Sequence, residues 1–135
     1  MNEDHPAMKV ARASWAAVRS HDKQAWLDLM ADDVCIEDPI GTGPTNPTGH
    51  GIQGKAEVSA FYDKHIANSN IVIVTHESHS VGNEAAHVME LTTTLENGVV
   101  TKLRSIFSYR VNDAGKLTSM RGYWTLDDME FTKAS

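Results

Sequence analysis

Cysteine is almost missing from this chain. Cys35 is its one thiol in 135 residues, which rules out an internal disulfide framework. Basic residues are few as well: 12 Lys and Arg stand against 18 Asp and Glu, for a net charge of -6. They form no block, so neither nucleic acid nor an anionic membrane surface is an expected partner. No apolar run approaches the roughly 18 residues of a membrane-spanning helix. The opening residues Met1 to Pro6 lack the basic and apolar regions of a secretory signal, so we expect a cytoplasmic protein. There is no Gly-rich phosphate loop following a strand and no Ser-nucleophile motif. His76, Glu77 and His79 are dense enough to suggest a metal, but strand alternation puts the two histidines on opposite faces. We therefore expect neither metal nor cofactor.

What is present suits one globular domain over residues 1–135, with 41% apolar residues to build a core. Residues 6–20 read as a helix, with Pro6 in the first turn and Met8, Ala11, Trp15 and Val18 as its apolar stripe. A second helix starts at the N-cap Asp22 and carries Trp26, Leu29 and Met30. Asp32 and Asp33 close it and open a short strand over 33–38. Residues 39–53 are a long loop rich in proline and glycine, and long ordered loops are often functional. A third helix covers about Lys55 to Asn68, with Val58, Phe61, Tyr62, His65 and Ile66 at helical spacing. Beyond Asn70 the period becomes two, and residues 71–79, 84–95, 99–111 and 116–126 read as strands joined by tight turns. Helices first and an antiparallel meander second indicate an α+β fold with helices on one face of a sheet.

The strand before Pro39 holds the most informative residue. Val34, Ile36 and Asp38 share one face, with Cys35 and Glu37 on the other. A carboxylate thus ends an apolar face. Either Asp38 opens a turn at a wet strand end, or it is withdrawn from water, its pKa raised, and it moves protons. Alternation also selects inward sets: His87, Met89, Leu91, Thr93 and Leu95; Leu103, Ser105, Phe107, Tyr109 and Val111; Thr118, Met120, Gly122, Trp124 and Leu126. Arg104, Arg110 and Arg121 face out. A curved sheet could leave this face hollow, but a filled core is the ordinary outcome and periodicity alone does not separate the two.

The run Met30 to Gly41 resembles the segment around the catalytic aspartate of bacterial ketosteroid isomerase. In the same order follow Phe61-Tyr62, Asn83-Glu84-Ala85-Ala86, Ala114-Gly115-Lys116, and Ser119-Met120-Arg121 with Trp124. Trp15, Trp26 and Gly122-Tyr123-Trp124 are similar to the mycobacterial ketosteroid isomerase-like proteins. The resemblance runs from about Val10 to Trp124. It implies the cone-shaped, curved antiparallel sheet with three helices of the nuclear transport factor 2-like (SnoaL-like, cystatin-like) superfamily, commonly a homodimer. It further implies proton transfer beside a steroid ketone, with an aspartate base and an oxyanion hole of a tyrosine and a protonated aspartate. By position Asp38 matches the base, Trp124 an indole donor near it, and Tyr62 a tyrosine supporting the oxyanion hole.

The departures fall on that hole. Its tyrosine falls on Ser14, or on Trp15 with one residue of slippage, and its protonated aspartate falls on Phe107. A second tyrosine falls on Met30, and residues 42–50 include an insertion beside the base. Tyr62, His87, Tyr109 and His50 are the groups that could substitute as donors, while His5, His21, His65, His76 and His79 read as surface or helix-end residues. We expect Ser14, Trp15, His87, Met89, Phe107, Tyr109 and Met120 to contact an apolar small molecule. Three functions compete: an isomerase using Asp38, a binder of flat apolar ligands without chemistry, and a cyclase or epoxide hydrolase on the same fold. The last needs an inward Arg or Asp partner, which the outward arginines do not supply.

Overall fold

The computed structural model describes residues 4–133. Met1 to Glu3, which entered the expectation about localisation, lie outside the described residues. Helix α1 (Pro6–Ser20) begins where the His5 ring accepts the Ala7 N–H, and ends on His21, a left-handed residue with φ 57°. Helix α2 (Lys23–Asp28) is a six-residue turn whose Asp22 cap accepts from the Ala25 N–H. It stops earlier than expected. Met30, Asp32 and Asp33 belong to strand β1 (Met30–Glu37), and the two acids sit exposed where the pairing of β1 shifts register. A two-residue strand β2 (Ile52–Gln53) precedes helix α3 (Gly54–His65), which ends three residues before the expected Asn68.

Strands β3 (Asn70–Val81), β4 (Glu84–Thr94), β5 (Val99–Val111) and β6 (Leu117–Tyr123) form the meander, and a 3-10 turn (Leu126–Asp128) leads into β7 (Met129–Lys133). The seven strands make one curved sheet in the order β2-β1-β6-β5-β4-β3, with β7 beside the first half of β5. The architecture is the expected α+β, with one correction. The sheet is mixed, because β1 runs parallel to β6 and so joins the first third of the chain to the last. Alternation holds along β4 and β5. On β6 a register shift beside Val111 buries Leu117 in place of the expected Thr118, whose hydroxyl instead bonds the Arg110 carbonyl at the edge. A bulge between Thr75 and Glu77 brings His76 to the outer face with Glu90, the face His79 also occupies, where alternation had separated them.

The helices pack over the concave face. Ala7, Met8, Ala11 and Val18 of α1 and Val58 and Phe61 of α3 join Phe107, Met89 and Leu103 of the sheet in one core. Burial of each large apolar side chain contributes about 1.5–3 kcal/mol. No helix among the described residues is long and apolar enough to cross a membrane.

Candidate active site

The concave face is hollow. A cavity of about 440 Å³ lies between the sheet and helices α1 and α3. Its wall is mostly apolar, and Asp38 is the one carboxylate on it among the described residues. The parallel pairing of β1 with β6 puts Glu37 opposite Arg121, so Asp38 emerges beside Gly122. A turn through a cis Asp38–Pro39 bond follows, and the Ile40 N–H donates to the Gly122 carbonyl at 3.0 Å. Asp38 therefore both opens a turn and stands half-buried on the cavity wall. The Trp124 indole N–H donates to its Oδ1 at 2.6 Å. Burial raises the Asp38 pKa above the ordinary carboxylate value, and the indole hydrogen bond opposes part of that rise.

Gly122 permits the pairing. A methyl group there would stand 2.7 Å from Asp38 Oδ1, 2.9 Å from the Phe107 ring and 2.9 Å from Trp124 Nε1. The loop 39–51 closes over the other side and is built around Asn46. Its amide donates to the carbonyls of Pro39 and Gly41, both at 3.0 Å, and its oxygen accepts from the Gly51 N–H at 3.0 Å. Thr45 donates its hydroxyl to the Asp38 carbonyl and lines the cavity with Pro44. Removing the hub with Asn46→Ala leaves backbone groups dry at about 1–3 kcal/mol each. A lowered urea midpoint with an unchanged m-value is the expected result.

Ser14, Trp15, Met89, Phe107, Tyr109, Met120 and Trp124 all line the cavity with Asp38. Tyr62 and His87 do not. Tyr62 is turned one helical step from the cavity-lining Phe61, with its ring 5.4 Å from that of Trp26 and its buried hydroxyl unpartnered among the described residues. His87 lies behind the wall, 1% exposed, with Ser78 Oγ 2.7 Å from its Nδ1. Burial, and secondarily the Arg12 guanidinium, lowers it to about 4, so the ring is neutral near pH 7. His50 is exposed on the loop. His65, expected at the surface, lines the cavity one turn after Phe61, a spacing the sequence displayed. Met30, where the resemblance puts a tyrosine, also lines the wall, as do Thr45 and, from the last strand, Met129 and Phe131, which carry no site signal in the sequence. None of Arg104, Arg110 and Arg121 reaches it, and Arg121 is held outside by Glu37 at 3.1 Å.

One further hydrogen bond crosses the closed end. The Trp15 indole N–H donates to the Tyr109 hydroxyl at 2.9 Å, with the His87 ring edge-on to both. Tyr109 is buried, and desolvation raises its pKa strongly.

Residues 11–120 match the SnoaL-like domain family. The chain is 46% identical to the protein RV0760c from Mycobacterium tuberculosis over 95% of this chain and 97% of that one, with a TM-score of 0.92. A second structure of RV0760c holds estradiol-17beta-hemisuccinate. The Delta 5-3-ketosteroid isomerase from Mycobacterium sp. is 43% identical over 95% of this chain and 99% of that one, TM-score 0.92. A computationally designed binder of 17-OHP is 42% identical over the same shares, TM-score 0.93.

Proposed function

Because this chain belongs to the SnoaL-like domain family, we propose that it acts on a flat apolar ketone of steroid type as an isomerase, with Asp38 as the base that shuttles the proton. The observation that carries this is the carboxyl group of Asp38, raised in proton affinity and turned on an apolar cavity of about 440 Å³. A base for carbon acids works best with a pKa near the operating pH, and burial moves a carboxylate that way. Trp124 is the group that fixes its orientation. The similarity to a ketosteroid isomerase and to a protein crystallised with a steroid ester supports the ligand class. Among the described residues no arginine and no second aspartate lines the cavity, so the partner expected for epoxide opening is not beside Asp38.

A second reading is specifically favoured by Phe107 and Ser14. They occupy the positions where the resemblance implies two hydrogen-bond donors to the oxyanion, and a wall without those donors binds a ketone more readily than it stabilises an enolate. We take the whole chain as one domain and the working unit as a cytoplasmic homodimer. Val72, Val74, Ile106 and Tyr123, each 47–48% exposed on the outer sheet face, offer the apolar surface for pairing.

The test is the ultraviolet absorbance of the conjugated product formed from a β,γ-unsaturated 3-ketosteroid, together with equilibrium binding of that product. Conversion that rises with pH through an acid limb is expected, since only the carboxylate form of Asp38 accepts the proton. Binding without conversion would leave the carrier reading in place of the enzyme. Neither binding nor conversion would remove both.

A further inference from the structure

We propose that the Tyr109 hydroxyl, held and polarised by the Trp15 indole, is the donor that stabilises the enolate oxygen in this protein. The inference rests on the isomerase reading and supplies the group that reading lacks. It begins from position. Tyr109 pairs with Met120 across β5 and β6, and Met120 pairs with Ile36 of β1. Phe107 pairs with Gly122, which lies beside Asp38. Tyr109 therefore stands two strands across and two residues along from the carboxylate, about 12 Å away between backbones. Both side chains line the same cavity, with Phe107 on the wall between them. A planar ligand lying over Phe107 meets the carboxylate at one edge and the phenol at another.

The hydroxyl is prepared for donation. Its oxygen accepts from Trp15 Nε1 at 2.9 Å, and accepting one hydrogen bond leaves its own proton to be donated and strengthens that donation. The ring cannot turn freely. Trp15 stands at 78° to it and His87 at 73°, with centroids 6.2 and 5.5 Å away. His87 is in turn anchored by Ser78. Histidine and serine thus act as positioning residues, since neither lines the cavity. Desolvation, and in smaller part the charge of Asp38, raises the Tyr109 pKa, so the phenol keeps its proton while the carboxylate is charged.

The step balances within these groups. The carboxylate of Asp38 takes a proton from the carbon between the ketone and the alkene. The C–H electron pair moves into the ring, and negative charge develops on the carbonyl oxygen. The Tyr109 O–H donates a hydrogen bond to that oxygen without transferring its proton. Asp38 then returns its proton to the far carbon of the dienolate. Substrate and product have the same composition, and the protein ends as it began.

The probe is the carbonyl stretch of bound androstenedione, a conjugated 3-ketosteroid, measured by isotope-edited infrared spectroscopy. In the unmodified protein the band is expected below its position in hexane. Tyr109→Phe should return it toward the hexane value and lower turnover by about 10²–10³-fold, the usual effect of losing one oxyanion donor. Trp15→Phe keeps the phenol and removes its polarising partner, so the band should move part of the way back. This second variant decides the matter if Tyr109→Phe fails to fold, because an unmoved band in Trp15→Phe overturns the proposal. So does a band that Tyr109→Phe leaves in place, or one that shifts only in Ser14→Ala. In those cases an active, steroid-binding protein would leave the role of Asp38 intact, whereas failure to bind androstenedione at all would defeat the isomerase reading itself.

Discussion

An Asp38→Asn protein is expected to lose about 10²–10⁴ in isomerisation rate, the range for removal of a positioned general base, while becoming harder to unfold at neutral pH. The two effects share one cause. In the unfolded chain this carboxyl titrates near its ordinary value of 3.8, and in the folded protein burial raises it. Between those two values the native state holds a proton that the unfolded chain has released. Stability therefore falls as pH rises through that window, and the loss stays constant above it. Asparagine carries no charge to desolvate, and its side-chain oxygen can still accept the Trp124 indole N–H. The gain should be full above the folded-state pKa, shrink as pH falls through it, and vanish below about 3.8. Thermal melts of both proteins across pH measure it. A variant less stable than its parent at neutral pH would show that the carboxylate is not desolvated, and the catalytic reading would lose its physical basis. Functional groups held at a cost to folding are common in active sites.

Gly122→Ala is the complementary case, in which activity and stability should fall together. The added methyl group meets Asp38 Oδ1, Phe107 and Trp124 Nε1, all within 2.9 Å. Phe107 and Trp124 are 2% and 7% exposed, so the one direction in which either can give is into the cavity it lines. Overpacking of this kind costs about 1–3 kcal/mol. The 2.6 Å bond from indole to carboxylate must lengthen or break, which releases the base from its orientation. Urea unfolding and the isomerase assay, run together, separate this variant from Asp38→Asn by the opposite sign of the stability change. An alanine protein with unaltered turnover would mean that the indole contact is dispensable.

Much of this site is legible in the residues alone. Val34, Ile36 and Asp38 alternate on one face, and period two along β4 and β5 correctly turned Met89, Phe107 and Tyr109 inward. The fold class followed from helices in the first half and strands in the second. Other features depended on contacts distant in sequence. The parallel partner of β1 lies more than 80 residues on, as Glu37 opposite Arg121 shows, and no local pattern announces it. Strand β7 carries no sequence signal, because four of its five residues are exposed and leave no alternation to read. Tyr62 and Phe61 are neighbours, and only helix orientation decides that Phe61 reaches the cavity. Whether the inner face was hollow depended on sheet curvature, which period two does not encode. The Trp15–Tyr109 bond spans 94 positions and joins a helix to a strand that periodicity treats separately.

The bond from Trp124 to Asp38 spans 86 positions, nearly two thirds of the polypeptide. Contacts so far apart in sequence form late and slowly compared with local ones. On a ribosome the aspartate would be synthesised early and wait, exposed and ordinary in acidity, until the last strands emerged to enclose it. Its altered proton affinity would thus be acquired only at completion, and a prematurely terminated product would carry the residue without the reactivity.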